Sequence, residues 1–336
     1  MNRTRIFSLL SGLAVMATTT CAEAADSLTI QLKWVAQSQF AGYFVAKEKG
    51  FYDDVGLDVT IRPGGPDVSP EQIIAGGGAD AIVNWLPSAL AAREKGLPLV
   101  NIAQFFNRAG NNITCLKSSG IASPKDFKGK TIGVIYGGNE FPFLSWMSKL
   151  GLKVTGADAD LKTVRQGFNV DPILNKQADC VSTQIYNEYY QILDAGVPKE
   201  SLVTFFFADY GVATLEDGLY TTQEKLNDPK EADKLARFVK ASIKGWKYAM
   251  ENPDETAKIV VDADPAGVAK IEVQKRQMRE IAKLIPGSSK GLGYLDPAAF
   301  DQTVSVLLGG TVDPIITKKP EGAWTHSIFD KATSGS

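Results

Sequence analysis

The chain has 336 residues, with 36 Lys and Arg against 38 Asp and Glu, a formal charge of −2 and a single His. Mild acidity with intermixed signs argues against nucleic-acid binding, and one His leaves no Ser-His-Asp or Cys-His pair. The length suits two domains with a large core.

Met-Asn-Arg-Thr-Arg opens the chain, followed by the apolar run Ile6–Ala17 and then Ala22-Glu23-Ala24. A basic start, a short apolar stretch and an A-x-A site describe a cleaved secretory signal, expected over residues 1–25. Cys21 lacks the Leu and small-residue run of a lipoprotein signal. No later apolar run is long enough to span a bilayer. The expected product is periplasmic and keeps two cysteines, Cys115 and Cys180. Export permits a bridge between them, and their apolar, strand-like segments suit free core thiols equally.

Leu28–Lys33 reads as a first strand and Phe40–Glu48 as the first helix, stopped by Gly50. Trp34, Gln37, Gln39 and Phe40 fall in the junction between them, which in an open α/β sheet faces the ligand crevice. Leu57–Arg62 is a second strand. Ser69 caps a helix Pro70–Ala75 that Gly76-Gly77-Gly78 ends, and Ala79–Asn84, helix Pro87–Lys95 and strand Leu99–Phe105 follow. The alternation predicts a parallel α/β sheet.

A second series begins near Ile113. It runs through a short helix Pro124–Phe127, strand Thr131–Tyr136, helix Phe141–Leu150 and strand Leu161–Gln166. Helix Asp171–Lys176, strand Asp179–Gln184, helix Tyr186–Ala195 and strand Leu202–Phe207 complete it. The two series are weakly alike. Ala79-Asp80 and Ala178-Asp179 each open a strand, and a Gly follows each Ala by 17 or 18 residues, at Gly96 and Gly196. After Phe207 the chain turns helical, with Pro229–Glu251 strongly periodic and Pro253–Val261, Val268–Leu284 and Pro297–Leu308 behind it. These helices bring too few strands for a third sheet and are expected to return to the first lobe. The expected division is residues 26–112 with 213–336 as lobe one and residues 113–212 as lobe two. Crossings near Asn111–Cys115 and Asp209–Glu216 form the hinge.

Several motifs carry no chemistry. Gly129-Lys130-Thr131 imitates a phosphate loop, but the first Gly that such a loop requires is absent, and the motif precedes its strand. Gly76-Gly77-Gly78 also precedes its strand, and Asn112-Ile113-Thr114 fits a glycosylation sequon by chance. His326 stands in the tail with no Cys or His neighbour, so no metal site is expected. Gly137-Gly138-Asn139-Glu140 differs: it follows a strand and precedes a helix, placing N–H groups at the crevice. Asn84-Trp85 ends a strand of the first series, and Tyr186-Asn187-Glu188 occupies the equivalent place in the second. Rings, amides and one carboxylate suit a flat, nitrogen-rich heterocycle, with Glu188 accepting from an amidine-like edge. An anion would call for more than Lys33, the one base in these segments.

QFAGYFVAKEKGFYDDVGLDVTI, GGGADAIVNW, DFKGKTIGV followed by GGNEF, and NKQADC with YNEYYQILDAG resemble the solute-binding proteins of bacterial ABC importers. The similar group takes in thiamine-pyrimidine precursors, nitrate and taurine-type sulfonates. The resemblance implies a two-lobe α/β clamshell of type II-like topology, closure on a ligand between the lobes, and docking to an inner-membrane ABC permease. Within that group, Trp34, Asn84-Trp85 and the Asn-Glu pair look most like the pyrimidine-binding branch. Trp34, Gln39, Asn84 and Trp85 are therefore candidate ligand contacts in lobe one. Gly137, Gly138, Asn139, Tyr186, Asn187 and Glu188 are candidates in lobe two, with Asp209 near the hinge. The expectation is a monomeric, non-enzymatic, cofactor-free binding protein for a thiamine-related pyrimidine. Riboflavin or another flat heterocycle, then a sulfonate or nitrate, are the alternatives. A pyrimidine-synthesis enzyme ranks lower, because the Cys-rich motif and active-site His of the related yeast synthases are absent here. A periplasmic sensor feeding a kinase is a third class, which neighbouring genes would discriminate.

Overall fold

The computed structural model describes residues 24–286, 288–309 and 314–334, so all but the last two residues of the expected leader lie outside the described residues. The first lobe opens with β1 (Asp26–Gln31), α1 (Ala41–Glu48), β2 (Leu57–Arg62), α2 (Pro70–Ala75), β3 (Ala81–Asn84), α3 (Leu86–Glu94) and β4 (Leu99–Gln104). Ser69 caps α2 by accepting the Gln72 N–H, with Pro70 at the first helical position, where its missing N–H costs nothing. The second lobe holds β5 (Asn111–Leu116), β6 (Thr131–Ile135), α4 (Glu140–Lys149), β7 (Lys162–Gln166) and α5 (Asp171–Leu174). β8 (Cys180–Gln184), α6 (Glu188–Asp194) and β9 (Leu202–Phe206) complete it. The chain returns through β10 (Gly218–Thr222), then α7 (Gln223–Asn227), α8 (Pro229–Glu251), α9 (Pro253–Asp262), α10 (Ile271–Ile281), α11 (Pro297–Leu308) and α12 (Ser327–Thr333).

Two five-stranded sheets result, ordered β2-β1-β3-β10-β4 and β7-β6-β8-β5-β9. The two-lobe α/β architecture expected from the sequence is present. Its sheets, however, are mixed: β10 runs antiparallel to β3 and β4, and β5 antiparallel to β8 and β9. The reason is directional. β5 and β10 are the first strands after each passage between lobes. The chain arrives from the cleft side, where the parallel strands end, and must run back against them.

The weak internal repeat has a structural counterpart. Asp80 accepts the Thr29 N–H at 2.7 Å, and Asp179 accepts the Thr131 N–H at 2.9 Å. Each Ala-Asp thus ties its own strand to a parallel neighbour, β3 to β1 and β8 to β6. Cys115 and Cys180 are directly opposed in the β5–β8 pairing and form a disulfide inside the second-lobe core, resolving the alternative left open by the sequence.

The C-terminal helices cover the first sheet. α8 crosses α1 where Gly42 and Gly245 meet: a Cβ on Gly245 would lie 2.1 Å from the Gly42 carbonyl oxygen. Tyr43 stacks parallel to Phe238 and meets Trp246 edge-on, so bulky residues pack around the bare contact.

Candidate functional site

In both sheets the residues just beyond the parallel strands turn toward the same gap, as expected at the carboxyl edge of an α/β sheet. Lys33 and Trp34 follow β1, Trp85 follows β3, Tyr136 and Gly137 follow β6, and Tyr186, Asn187 and Glu188 follow β8. All of them line one narrow cavity between the sheets. Gln39 and Asn139 line it too. It shares Pro66, Val68 and Tyr136 with an outer cavity of about 1180 Å³, and Trp34, Gln37 and Asn187 with another of about 1040 Å³.

On the first-lobe side the polar groups are interlocked. The Lys33 ammonium lies 2.9 Å from the centre of the Trp85 ring and 2.6 Å from Asp217 Oδ1, with both partners of the ion pair almost fully buried. Gln39 Nε2 donates to Asp217 Oδ2 at 2.8 Å, and Gln37 Nε2 donates to Gln39 Oε1. Burial pushes the Asp217 carboxyl up and the Lys33 ammonium down, and their mutual attraction opposes both shifts. Beside them Glu216 is fully buried. Its Oε1 accepts the N–H groups of Gly110 at 2.8 Å and Asn111 at 3.1 Å, while Oε2 has no partner among the described residues. Burial, reinforced by the Asp217 charge, pushes Glu216 up to about 8. One carboxyl therefore joins the returning strand to the outgoing one at the hinge.

On the second-lobe side Glu188 opens α6. Its Oε2 accepts the Gln184 N–H at 2.9 Å and its Oε1 accepts from Asn187 Nδ2 at 2.8 Å. Both oxygens are engaged within the lobe, and burial raises the carboxyl above its ordinary range. Its first task is to hold Asn187 and the β8–α6 turn. The polar groups left open are others. Gln184 Oε1 and the Tyr186 hydroxyl are buried without a partner among the described residues, and both residues line the cavity. The Asn139 side chain caps no helix N–H.

Three candidates sit elsewhere. Asn84 is buried behind the cavity wall, donating to Glu71 Oε1 at 2.7 Å and accepting the Trp85 N–H at 2.9 Å, so it orients the indole from behind. Gly138 faces the outer cavity, and its N–H is taken by Glu140 Oε2 at 2.7 Å instead of standing bare. With φ +109 and a Cβ that would fall 2.6 Å from Ser88, it needs glycine for backbone shape and for the close approach of the lobes. Asp209 is exposed in the turn Phe207–Tyr210 and lines none of these cavities; the acid near the hinge that reaches the site is Asp217. Sequence reasoning missed Asp217, Glu216, Gln184 and Tyr136 and left Lys33 out of the candidates. The available signal was Lys33 itself, a lone base in an aromatic mouth that needs a buried acid to balance it.

The sequence profile of the NMT1/THI5-like family matches residues 37–256. The formylaminopyrimidine-binding protein of Halalkalibacterium halodurans is 26% identical over 91% of this chain and 94% of its own length. The 4-amino-5-hydroxymethyl-2-methylpyrimidine phosphate synthase of Schizosaccharomyces pombe is 29% identical over 69% of this chain and 68% of its own. Among solved structures, the periplasmic sulfonate-binding protein SsuA of Methylobacillus flagellatus KT superposes with a TM-score of 0.62 at 15% identity. That match covers 93% of this chain and 94% of that one, and it shows the shared fold.

Proposed function

This chain belongs to the NMT1/THI5-like family, and from that premise we propose that it is the periplasmic binding component of an ABC importer, capturing a thiamine-related aminopyrimidine. The observation that carries this reading is the charge balance of the inner cavity. Lys33 is the one cation lining it among the described residues, and its ammonium is committed to Asp217. Glu188 adds a carboxyl on the lining, so a nitrate or sulfonate would meet that acid and no free cation. A neutral or protonated pyrimidine meets aromatic walls at Trp34, Trp85 and Tyr186, with open polar atoms on Gln184 and Asn139. The name of the Halalkalibacterium relative agrees with that chemistry. A larger flat heterocycle such as riboflavin is the second reading, favoured by the continuity of the inner cavity with the two outer ones.

Binding, not turnover, is the proposed activity, although the Schizosaccharomyces relative is named as a synthase. His326 stacks on Tyr294 with its Nε2 on the Leu295 carbonyl, and it does not line the cavity. Delivery to a permease requires two states, and a ligand gripped by both lobes favours the closed one. Native mass spectrometry of freshly purified protein, followed by calorimetry with formylaminopyrimidine, riboflavin, taurine and nitrate, tests the reading. Heat of binding is expected with the pyrimidine and none with taurine or nitrate. The reverse order would overturn the proposal.

A further inference from the structure

The lobes meet along two seams of opposite character. Behind the hinge, α11 packs on the second lobe through apolar contact. Val306 sits in the second-lobe core with Trp146 and Phe207. At the front, α10 faces α6 across a stripe of polar contacts. Arg276 Nη1 donates to Asp194 Oδ1 at 2.9 Å and its second Nη pairs with Oδ2, a two-pronged contact, while the guanidinium lies 4.5 Å from the centre of the Tyr190 ring. The Tyr190 hydroxyl donates to Glu280 Oε1 at 3.2 Å. Gln277, itself buried, donates from one Nε2 to Asn187 Oδ1 at 2.9 Å and to Gln37 Oε1 at 3.3 Å, touching the cavity linings of both lobes.

The spacing explains the match. Arg276, Gln277 and Glu280 share one face of α10, and Asn187, Tyr190 and Asp194 share one face at the start and along the length of α6. The far end of α10 is anchored at the hinge, where the Leu284 carbonyl accepts the N–H groups of Asn107 and Arg108, each at 3.1 Å. α10 thus runs from the pivot to the cleft front, and its middle grips the opposite lobe. A polar stripe can part and hydrate when the lobes open, whereas Val306 cannot leave its apolar surroundings without exposing them.

We propose that α10 is a clasp that favours the closed form without touching the ligand. Arg276 and Asp194 are its latch, and Gln277 is a positioning residue that fixes the cavity amide of Asn187. None of Arg276, Asp194, Tyr190, Gln277 or Glu280 lines the inner cavity, although Asp194, Arg276 and Gln277 border the outer cavity beyond Asn187. The clasp therefore acts by setting the fraction of molecules that are binding-competent, and apparent affinity scales with that fraction.

The test is charge reversal. Ligand-free Arg276→Asp and Asp194→Arg should each show a larger radius of gyration by small-angle scattering than the unaltered protein. The double variant should return to the compact value. Arg276→Gln, which removes the fork without repulsion, should shift the same way by less. With formylaminopyrimidine as probe, each reversal should weaken binding about fivefold and the double variant should recover it. Gln277→Leu should weaken binding with an unchanged thermal midpoint. Single variants that stay as compact as the parent, or a double variant that fails to recover, overturn the clasp. The scattering arm needs no ligand, so failure of the unaltered protein to bind the pyrimidine would sink the proposed ligand and leave this result standing.

Discussion

Asp217 carries more of the site than its place outside any motif would indicate. Its backbone is left-handed, at φ +36, a conformation that costs a non-glycine residue energy but that Asp and Asn tolerate best. Its two oxygens serve Lys33 and Gln39. Asp217→Asn keeps the backbone and the Gln39 bond but strips Lys33 of its counter-charge. Breaking one side of a buried pair costs about 3 kcal/mol, which urea unfolding would read. The same change should turn the cavity toward anions, so calorimetry should show weaker pyrimidine binding and new taurine binding. Glu216 gives a second outcome with a defined sign. The fold holds it up to about 8, against an ordinary value of 4.5, so unfolding releases its proton between those limits. Its contribution is complete below about pH 4.5, falls as pH rises at up to about 1.4 kcal/mol per unit, and is level again above about 8. Glu216→Gln mimics the protonated acid and should flatten that slope in unfolding measured across the interval. The aromatic and amide side of this site was legible, because those residues follow strand ends that alternation reveals. The acids were not, since Glu216 and Asp217 act through Lys33, Gly110 and Asn111, partners more than a hundred residues distant in sequence.

Among the elements, those with a local cause were read closely. Pro229–Glu251 is bounded as expected, by Asp228 accepting the Lys230 N–H at one end and Asn252-Pro253 at the other. The Ala-Asp pairs proved to be the repeated pin of each lobe. β10 went unread because Gly-Leu-Tyr-Thr-Thr is short, begins with Gly and shows no clean alternation. It is a strand because β3 and β4 offer it two edges at once, which no window of its own sequence contains. The α1–α8 crossing was equally invisible, since a glycine in a helix reads as a weakness. Gly245→Ala should gain about 1 kcal/mol in helix propensity. That gain sets a Cβ 2.1 Å from the Gly42 carbonyl, and forcing the helices apart over Tyr43, Phe238 and Trp246 costs about 1–3 kcal/mol or more. Overpacking wins, and the thermal midpoint should fall. An unchanged or raised midpoint would mean that the helices separate freely.

For the molecule as a whole, the two lobes are not built alike in sequence. All five strands of the second sheet lie between Asn111 and Phe206, whereas the first sheet needs β10 from beyond that stretch and α8 to cover it. The repeat and the helix-rich tail made this nesting legible, although β10, the strand that completes the first sheet, was not. The consequence is an asymmetry in autonomy. The second lobe has its own apolar cluster around Phe127, Trp146 and Phe205, and a disulfide linking residues 65 apart. Such a closure contributes about 4 kcal/mol through the unfolded chain, and about a hundred residues suffice for an independent core. It borrows Val306 from α11, a loss of about 2 kcal/mol for one buried aliphatic side chain, smaller than the gain from the bridge. A fragment spanning residues 107–212 should therefore unfold in one cooperative thermal transition under oxidising conditions, seen by circular dichroism, and lose much of that stability when reduced. The complementary piece, residues 26–106 alone, should not fold, because its sheet lacks the strand that joins β3 to β4. A structureless oxidised fragment would show that the second lobe depends on α11 for more than one side chain, and that the two lobes fold as a single unit.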